Sequence, residues 1–397
     1  MKNKLLIFLV VVLCAGMLSA AVFADNHAAD WLKEYYGISF DGDVSAADFN
    51  DALASFGIDP LDIETLTLAD AVVGAVRLAN MEEMVLTFGT ADEDELPDDD
   101  YAPYLAFALA HNWVEDDDDF AGPISAEIAA EMLYDAAEMS GNGRRYVGRI
   151  SDDNILTKLI DMIGSSMIFD EEKLMDAGID LLLDEATTGY SLKYAGYYAN
   201  FLEENTLRYG HDSAAHLLQL VSLMKALGYD AYVQVEPKVS VYEYLLEWGL
   251  PGDPTPTYAV REMVEGRYYA FAMEFDAAFE FDSKEQKESF HELIETYAKI
   301  YDNSFDEDGN LVKPLLVSSW WQPLYFSSTE MENKEFMPLI DNMIFNGPFV
   351  IHSFSVPENS ALIAESFTKS DPDLVFETRT IYVNPAFYRY ITGTDHQ

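Results

Sequence analysis

Ser213 stands between His211 and His216, a hydroxyl flanked by two imidazoles. A serine becomes a nucleophile when a base takes its proton and an acid orients that base. His216 lies three residues beyond Ser213, a spacing at which side chains on one helix meet. A Ser-x-x-His pair with no orienting acid is a weak catalyst, so a hydrolase using Ser213 is the alternative reading and capping or packing the main one. The two histidines are five apart, off the four-residue spacing of a helical metal pair. The only cysteine is Cys14.

The elements that would position Ser213 are legible around it. Leu217, Leu220, Val221, Met224 and Leu227 recur at the spacing of one helix face. Gly228 follows as the helix stop, since glycine takes the left-handed cap conformation cheaply. Ala231 to Val235 then alternates as a strand does. The stretch 209–236 is a buried helix, a tight turn and a strand.

That pattern resembles the core of the transglutaminase-like (papain-like) superfamily, in which a cysteine opens the helix, a "RALGIPAR"-type turn closes it and a strand follows. Here the turn reads Lys225-Ala226-Leu227-Gly228-Tyr229-Asp230-Ala231. The resemblance places the cysteine position at Ser213, the histidine position at Tyr269 in Tyr269 to Phe275, and the aspartate at Asp282. A Ser/Tyr/Asp set lacks a base near neutral pH, because tyrosine ionises at about 10. The resemblance therefore implies a degenerate, non-catalytic domain. Residues 237–258, with Tyr242 and Trp248 among several prolines, are expected as a loop over the old cleft.

Met1 to Ala24 has the form of a secretory signal: Lys2 and Lys4, the apolar run Leu5 to Leu13, and the small-residue site Val22-Phe23-Ala24. With Cys14 inside it, the mature chain has no disulfide, thiol nucleophile or cysteine-ligated metal, and no membrane span is expected after cleavage. The formal charge of -48 makes nucleic acid and anionic membranes poor partners.

Residues 25–140 carry 29 acids against two bases, Lys33 and Arg77. They also contain a repeat: Val44-Ser45-Ala46-Ala47-Asp48-Phe49, Leu66-Thr67-Leu68-Ala69-Asp70-Ala71 and Ile124-Ser125-Ala126-Glu127-Ile128-Ala129. Each reads as an apolar residue, a Ser or Thr N-cap and an amphipathic helix, the helices ending near Phe56, Ala79 and Ala137. A further helix, Tyr101 to Ala110, and an acidic loop to Phe120 precede the third copy. The order resembles S-layer homology (SLH) repeats, "YAxYAxENGLV" then "FxPxxxITRAExAxML", most closely over 101–138. The resemblance implies binding of cell-wall polysaccharide at Ser45, Thr67 and Ser125 of the motif. Its arginine positions hold Ala46, Leu68 and Ala126, and its glutamate positions Asp48, Asp70 and Ile128.

The acidic runs Asp92 to Asp100 and Glu115 to Asp119 lack the mid-loop glycine and final glutamate of an EF-hand, as do Asp41-Gly42-Asp43 and Asp306 to Gly309. They read as solvated loops, with calcium the one cofactor alternative and no metal ligands assigned. Ser140 to Arg145 reads as a linker, continuing to residue 154, and Arg144, Arg145 and Arg149 form a basic cluster that docks on acids or stays exposed. Helices are expected over Ile155 to Ile163, Glu171 to Glu185 and Tyr190 to Asn205, the last with Tyr194, Tyr197, Tyr198 and Phe201 as a core stripe. Strands are expected at Leu315 to Trp321, Phe349 to Phe354 and Leu374 to Val383, with a short helix at Ser360 to Ser366.

The expected architecture is multidomain: a signal peptide (1–24), an all-α SLH-like module (25–140), a linker (141–154), an α+β transglutaminase-like domain (155–300) and an α+β C-terminal extension (301–397). The expected function is that of a secreted protein of the bacterial cell surface. It would bind cell-wall polysaccharide or peptidoglycan, taking a peptide or glycan in the degenerate cleft. A purely structural S-layer-type subunit is the remaining alternative.

Overall fold

The computed structural model describes residues 27–88, 101–166, 171–211, 213–246, 249–297, 324–332, 335–370 and 373–393. The segment expected as a signal, the acidic run 92–100, Trp248 and the strand expected at 315–321 lie outside them. The chain divides into two compact units, at Arg145/Tyr146. The division falls inside the stretch expected as a linker.

The first unit is helical: α1 (His27–Tyr36), α2 (Ala46–Ser55), α3 (Leu68–Leu78), α4 (Glu82–Phe88), α5 (Ala102–Ala110) and α6 (Ala126–Ser140). Ser45, Thr67 and Ser125 cap α2, α3 and α6, each accepting a backbone N–H of the first turn. Thr67 and Asp70 form a reciprocal capping box. The three capped starts are tied together through the backbone of the loop before α6. Val44 N–H donates to Ile124 O (2.9 Å), Ala126 N–H to Gly42 O (2.8 Å), and Leu68 N–H to Gly122 O (3.0 Å). The helices close on Trp31, Phe49, Leu53, Val72, Leu105 and Leu133, all fully buried or nearly so. A Cβ on Gly74 would stand 2.7 Å from the Phe49 ring, so only glycine lets α2 and α3 approach this closely.

The second unit is a closed barrel under helices. Its elements are β1 (Gly148–Arg149), α7 (Ile155–Ser165), α8 (Glu172–Leu183), β2 (Gly189–Tyr194), β3 (Thr206–His211), α9 (Ala214–Leu227), β4 (Ala231–Tyr244), β5 (Tyr258–Val264), β6 (Arg267–Phe281), α10 (Lys284–Tyr297), β7 (Leu324–Ser327), β8 (Met337–Asn346), β9 (Phe349–Ser355), α11 (Pro357–Ser370), β10 (Val375–Val383) and α12 (Pro385–Ile391). Eight strands form an antiparallel ring: β4 pairs β2, then β9, β8, β10, β7, β3 and β6, and β6 closes on β4. β1 and β5 extend it at β4 and β6.

Register decides what faces in. Along β4, Ala231, Val233, Val235 and Val241 face outward into the helix-covered cores, while Gln234, Glu236, Lys238 and Ser240 face the lumen. Helices α7, α9 and α10 cover one side through Leu159, Leu217, Leu220, Met224 and Phe290. Helices α8 and α11 cover another through Leu174, Leu181, Ile363 and Phe367. One part of the lumen is apolar, with Phe326, Leu339, Ile381 and Val383 joined by Phe387 of α12. An eight-stranded barrel is just wide enough for side chains to fill.

Several expectations change here. Tyr190–Asn205 is not a helix. It is β2 followed by two short 3-10 turns, because Tyr190 and Leu192 pack outward while Ser191 and Lys193 point inward. Residues 237–258 are not one long loop, since β4 runs unbroken to Tyr244. Pro237 is accommodated because it falls between the β1 and β2 pairings, where β4 is bonded on one side only. Residues 301–397 are no separate extension, for β7 to β10 complete the barrel that β2 to β6 begin. The linker end is structural too: Ile150 is fully buried and β1 pairs β4.

Candidate functional site

The helix–turn–strand expected around Ser213 is present, with Gly228 at φ 78° closing α9. Ser213 is its N-cap: its Oγ accepts the His216 N–H at 3.4 Å. Ser213 N–H donates to His211 Nδ1 (2.9 Å), which leaves the neutral His211 ring proton on Nε2, facing His216 Nδ1 at 3.2 Å. The Ser213 hydroxyl oxygen is itself taken up as the cap of α9.

The three family positions are not brought together. Asp282 follows β6 beside Ala231 and is bound by Arg149 at 2.7 Å, at the far end of α9, about 20 Å of helix from Ser213. Tyr269 lies about 40 Å back along β6, fully buried in the core under α8, with the Arg267 guanidinium 5.5 Å from its ring. The cause is β6 itself, a 15-residue strand with Tyr269 near its start and Asp282 just past its end. Tyr242 is half-buried on β4, opposite Ala270 and Gly189. Two of the three arginines of the basic cluster are ion-paired, Arg144 with Glu138 (2.9 Å) and Arg149 with Asp230 (3.0 Å) and Asp282, while Arg145 donates to Gly141 O (3.2 Å).

The densest chemistry is inside the barrel, where sequence reading did not place it. Lys193 of β2 sits between Glu236 (3.0 Å) and Asp276 (2.5 Å). Lys238 takes the other Asp276 oxygen at 2.7 Å. Arg208 binds Glu203 at 2.7 Å and stands 3.5 Å from Glu236. Burial pushes Asp276 and Glu236 up, but the neighbouring Lys193, with Lys238 and Arg208, outweighs it and holds both well below the usual carboxylate range. Glu203 is held down to about 2, Arg208 overcoming its burial.

A second group stands beside it in the order hydroxyl, imidazole, carboxylate. Tyr198 Oη donates to His352 Nε2 (2.9 Å), His352 Nδ1 donates to Asp341 Oδ2 (2.9 Å), and Arg379 Nε also binds that oxygen at 2.9 Å. This is a relay's geometry with the wrong hydroxyl. Burial, with Glu236 nearby, raises Tyr198 far above its ordinary value, and burial lowers His352 despite Asp341. The phenol stays protonated and the pair fixes position rather than moving a proton.

These groups hold the connection between β2 and β3, residues 195–205, against the inner wall. Ala199 N–H donates to Glu236 (3.1 Å), Leu202 N–H to Glu280 (3.2 Å), and Gln234 to Tyr197 O (3.2 Å). Ala199 and Phe201 are fully buried. The lumen is thus occupied by the chain itself. The only signal in the sequence was the polar alternation of β4, which reads equally as a solvent face.

In the helical unit, a half-open groove of about 330 Å³ runs between α1 and α6. Leu32, Ile38 and Ala130 are its buried floor, and Ala29, Ser39, Phe40, Ala126 and Glu127 its rim. It opens at the third repeat copy, beside capping Ser125, and Ala126 is the residue at the motif's arginine position. In the first two copies, Asp48 and Asp70 are spent on capping: Ser45 Oγ donates to Asp48 (2.6 Å), and Thr67 N–H and Tyr101 Oη donate to Asp70 (3.0 and 2.6 Å). Comparison with family models, curated proteins and solved structures finds no match for this chain.

Proposed function

We propose that this is an exported, non-catalytic protein of the bacterial cell surface that associates with the envelope through its helical unit. The observation that carries the reading is the groove between α1 and α6, at the start of the third repeat copy. It has an apolar floor, an aromatic, a hydroxyl and a carboxylate, the side-chain kinds that hold one sugar ring. The signal segment and the order of helix, loop and capped helix support the same reading. The barrel's filled lumen and the separation of Ser213, Tyr269 and Asp282 favour a rigid body over an enzyme, and move the proposed ligand from the transglutaminase-like cleft to the groove. The test is co-sedimentation of the mature chain with purified wall sacculi. Wild type should pellet, and Ala126→Trp, which fills the groove from its rim, should stay in solution. Failure of wild type to pellet sinks the reading.

A further inference from the structure

We infer that the groove takes a glycan carrying a free amine, a deacetylated hexosamine, with its ammonium at Glu127 and the apolar face of its ring against Phe40. The inference rests on the proposed wall binding and adds the charge of the ligand. Glu127 is exposed at the rim, and no cation among the described residues lines the groove. Residues 25–140 hold 29 acids and two bases. Of those bases, Arg77 is engaged by Glu82 at 2.9 Å, and Lys33 lies on α1 beside the lining residue Leu32. Asp30, Asp41 and Asp43 flank the lining segments in sequence. Arg144 and Arg145 end the same unit, Arg144 held by Glu138 at 2.9 Å, so the cations are few against the acids and an anionic polymer would meet net repulsion here. An N-acetylated sugar would leave Glu127 without a cation. An ammonium gains a charge-assisted hydrogen bond, and a sugar ring covers the floor of Leu32, Ile38 and Ala130.

The test is calorimetric titration of the full mature chain with a glucosamine tetramer and with its N-acetylated counterpart at 0.15 M salt. The free-amine tetramer should bind about threefold to fivefold tighter, the size of one solvent-exposed charge pair, about 0.6–1 kcal/mol. Glu127→Gln should erase that preference, Ala126→Trp should abolish binding of both, and Asp62→Asn, an exposed acid away from the groove, should change nothing. Equal binding of the two tetramers, or binding unmoved by Glu127→Gln, overturns the inference. So does equal weakening by Asp62→Asn, which would assign the attraction to the whole acidic surface. If sacculi still pellet the chain while the amine preference fails, wall binding stands and the ligand assignment falls. If wild type fails with both, the wall reading falls too.

Discussion

Lys193 and Glu236 form an ion pair 3.0 Å long inside the barrel, with side chains only 6% and 2% exposed. Two strands, β2 and β4, are joined there by charge where packing would normally join them. Removing one partner strands the other without water. Lys193→Met should therefore destabilise the barrel unit by about 3–5 kcal/mol, read from the urea midpoint of the barrel transition. The triple change Lys193→Met, Glu236→Leu, Asp276→Leu should recover part of the loss. A loss below about 1 kcal/mol for the single variant would mean the site is wetter than its burial states.

Acid should unfold the same unit by a route whose sign is fixed. Asp276, Glu236, Asp341 and Glu203 all have folded-state values depressed by their cationic partners against the push of burial, Glu203 to about 2. A depressed carboxyl stabilises above its unfolded value, about 4, and that stability drains away as pH falls toward the folded value. Denaturation midpoints should begin to decline below about pH 6.5, where the unfolded chain protonates His352, which burial keeps neutral in the fold, and should fall steeply from about pH 4 to 2. Asp341→Asn should give a shallower fall, though from a lower plateau. A midpoint that does not move across that window would contradict the pairing.

Lys287 predicts the opposite flank. Its ammonium is fully buried, donating to Ser327 Oγ (3.1 Å) and Thr329 Oγ1 (2.8 Å), and burial pulls its pKa from 10.5 down to about 8. Below about pH 8 the folded state carries a buried charge. Between about 8 and 10.5 the unfolded chain binds more protons, so stability rises with pH. Wild type should gain stability from pH 8 to 10 relative to Lys287→Met, and parallel curves for the two would refute it.

The caps give a local prediction. Thr67→Ala removes the hydroxyl half of a capping box, leaving the Thr67 N–H on the Asp70 carboxylate, and should cost about 1 kcal/mol in the helical unit while leaving the barrel transition in place. Ser213→Ala should cost about 1 kcal/mol in the barrel unit. It should change no turnover of model amides or wall peptides, because the hydroxyl is a cap. Turnover by wild type that vanishes in Ser213→Ala would revive the enzyme reading.

What the sequence disclosed was local. Ser45, Thr67 and Ser125 as caps, Gly228 as a stop and the strand after it all follow from interactions spanning a few residues. The barrel does not. Val350 meets Lys193 across the β2–β9 pair, a contact between residues more than 150 positions apart, and no short-range pattern encodes that. Glu236 and Lys238 alternate with valine as a half-exposed strand would, so their polarity indicated water when closure of the ring had put another strand's charges there. Tyr194, Tyr197, Tyr198 and Phe201 mimic a helical stripe but serve a strand end and a lumen segment. The groove escaped for a different reason: its floor joins Leu32 and Ile38 to Ala130 by tertiary packing alone.

The segment 195–205 inside the ring bears on the order of events during folding. It precedes β7 to β10 in the chain, yet those strands finish the wall around it. The ring therefore cannot seal first and admit the segment afterwards. The last closure must expel water from lysines, arginines and carboxylates together, and opening must let it back to all of them at once. Such a step is slow in both directions. The barrel's endurance is then a matter of rate as well as of equilibrium.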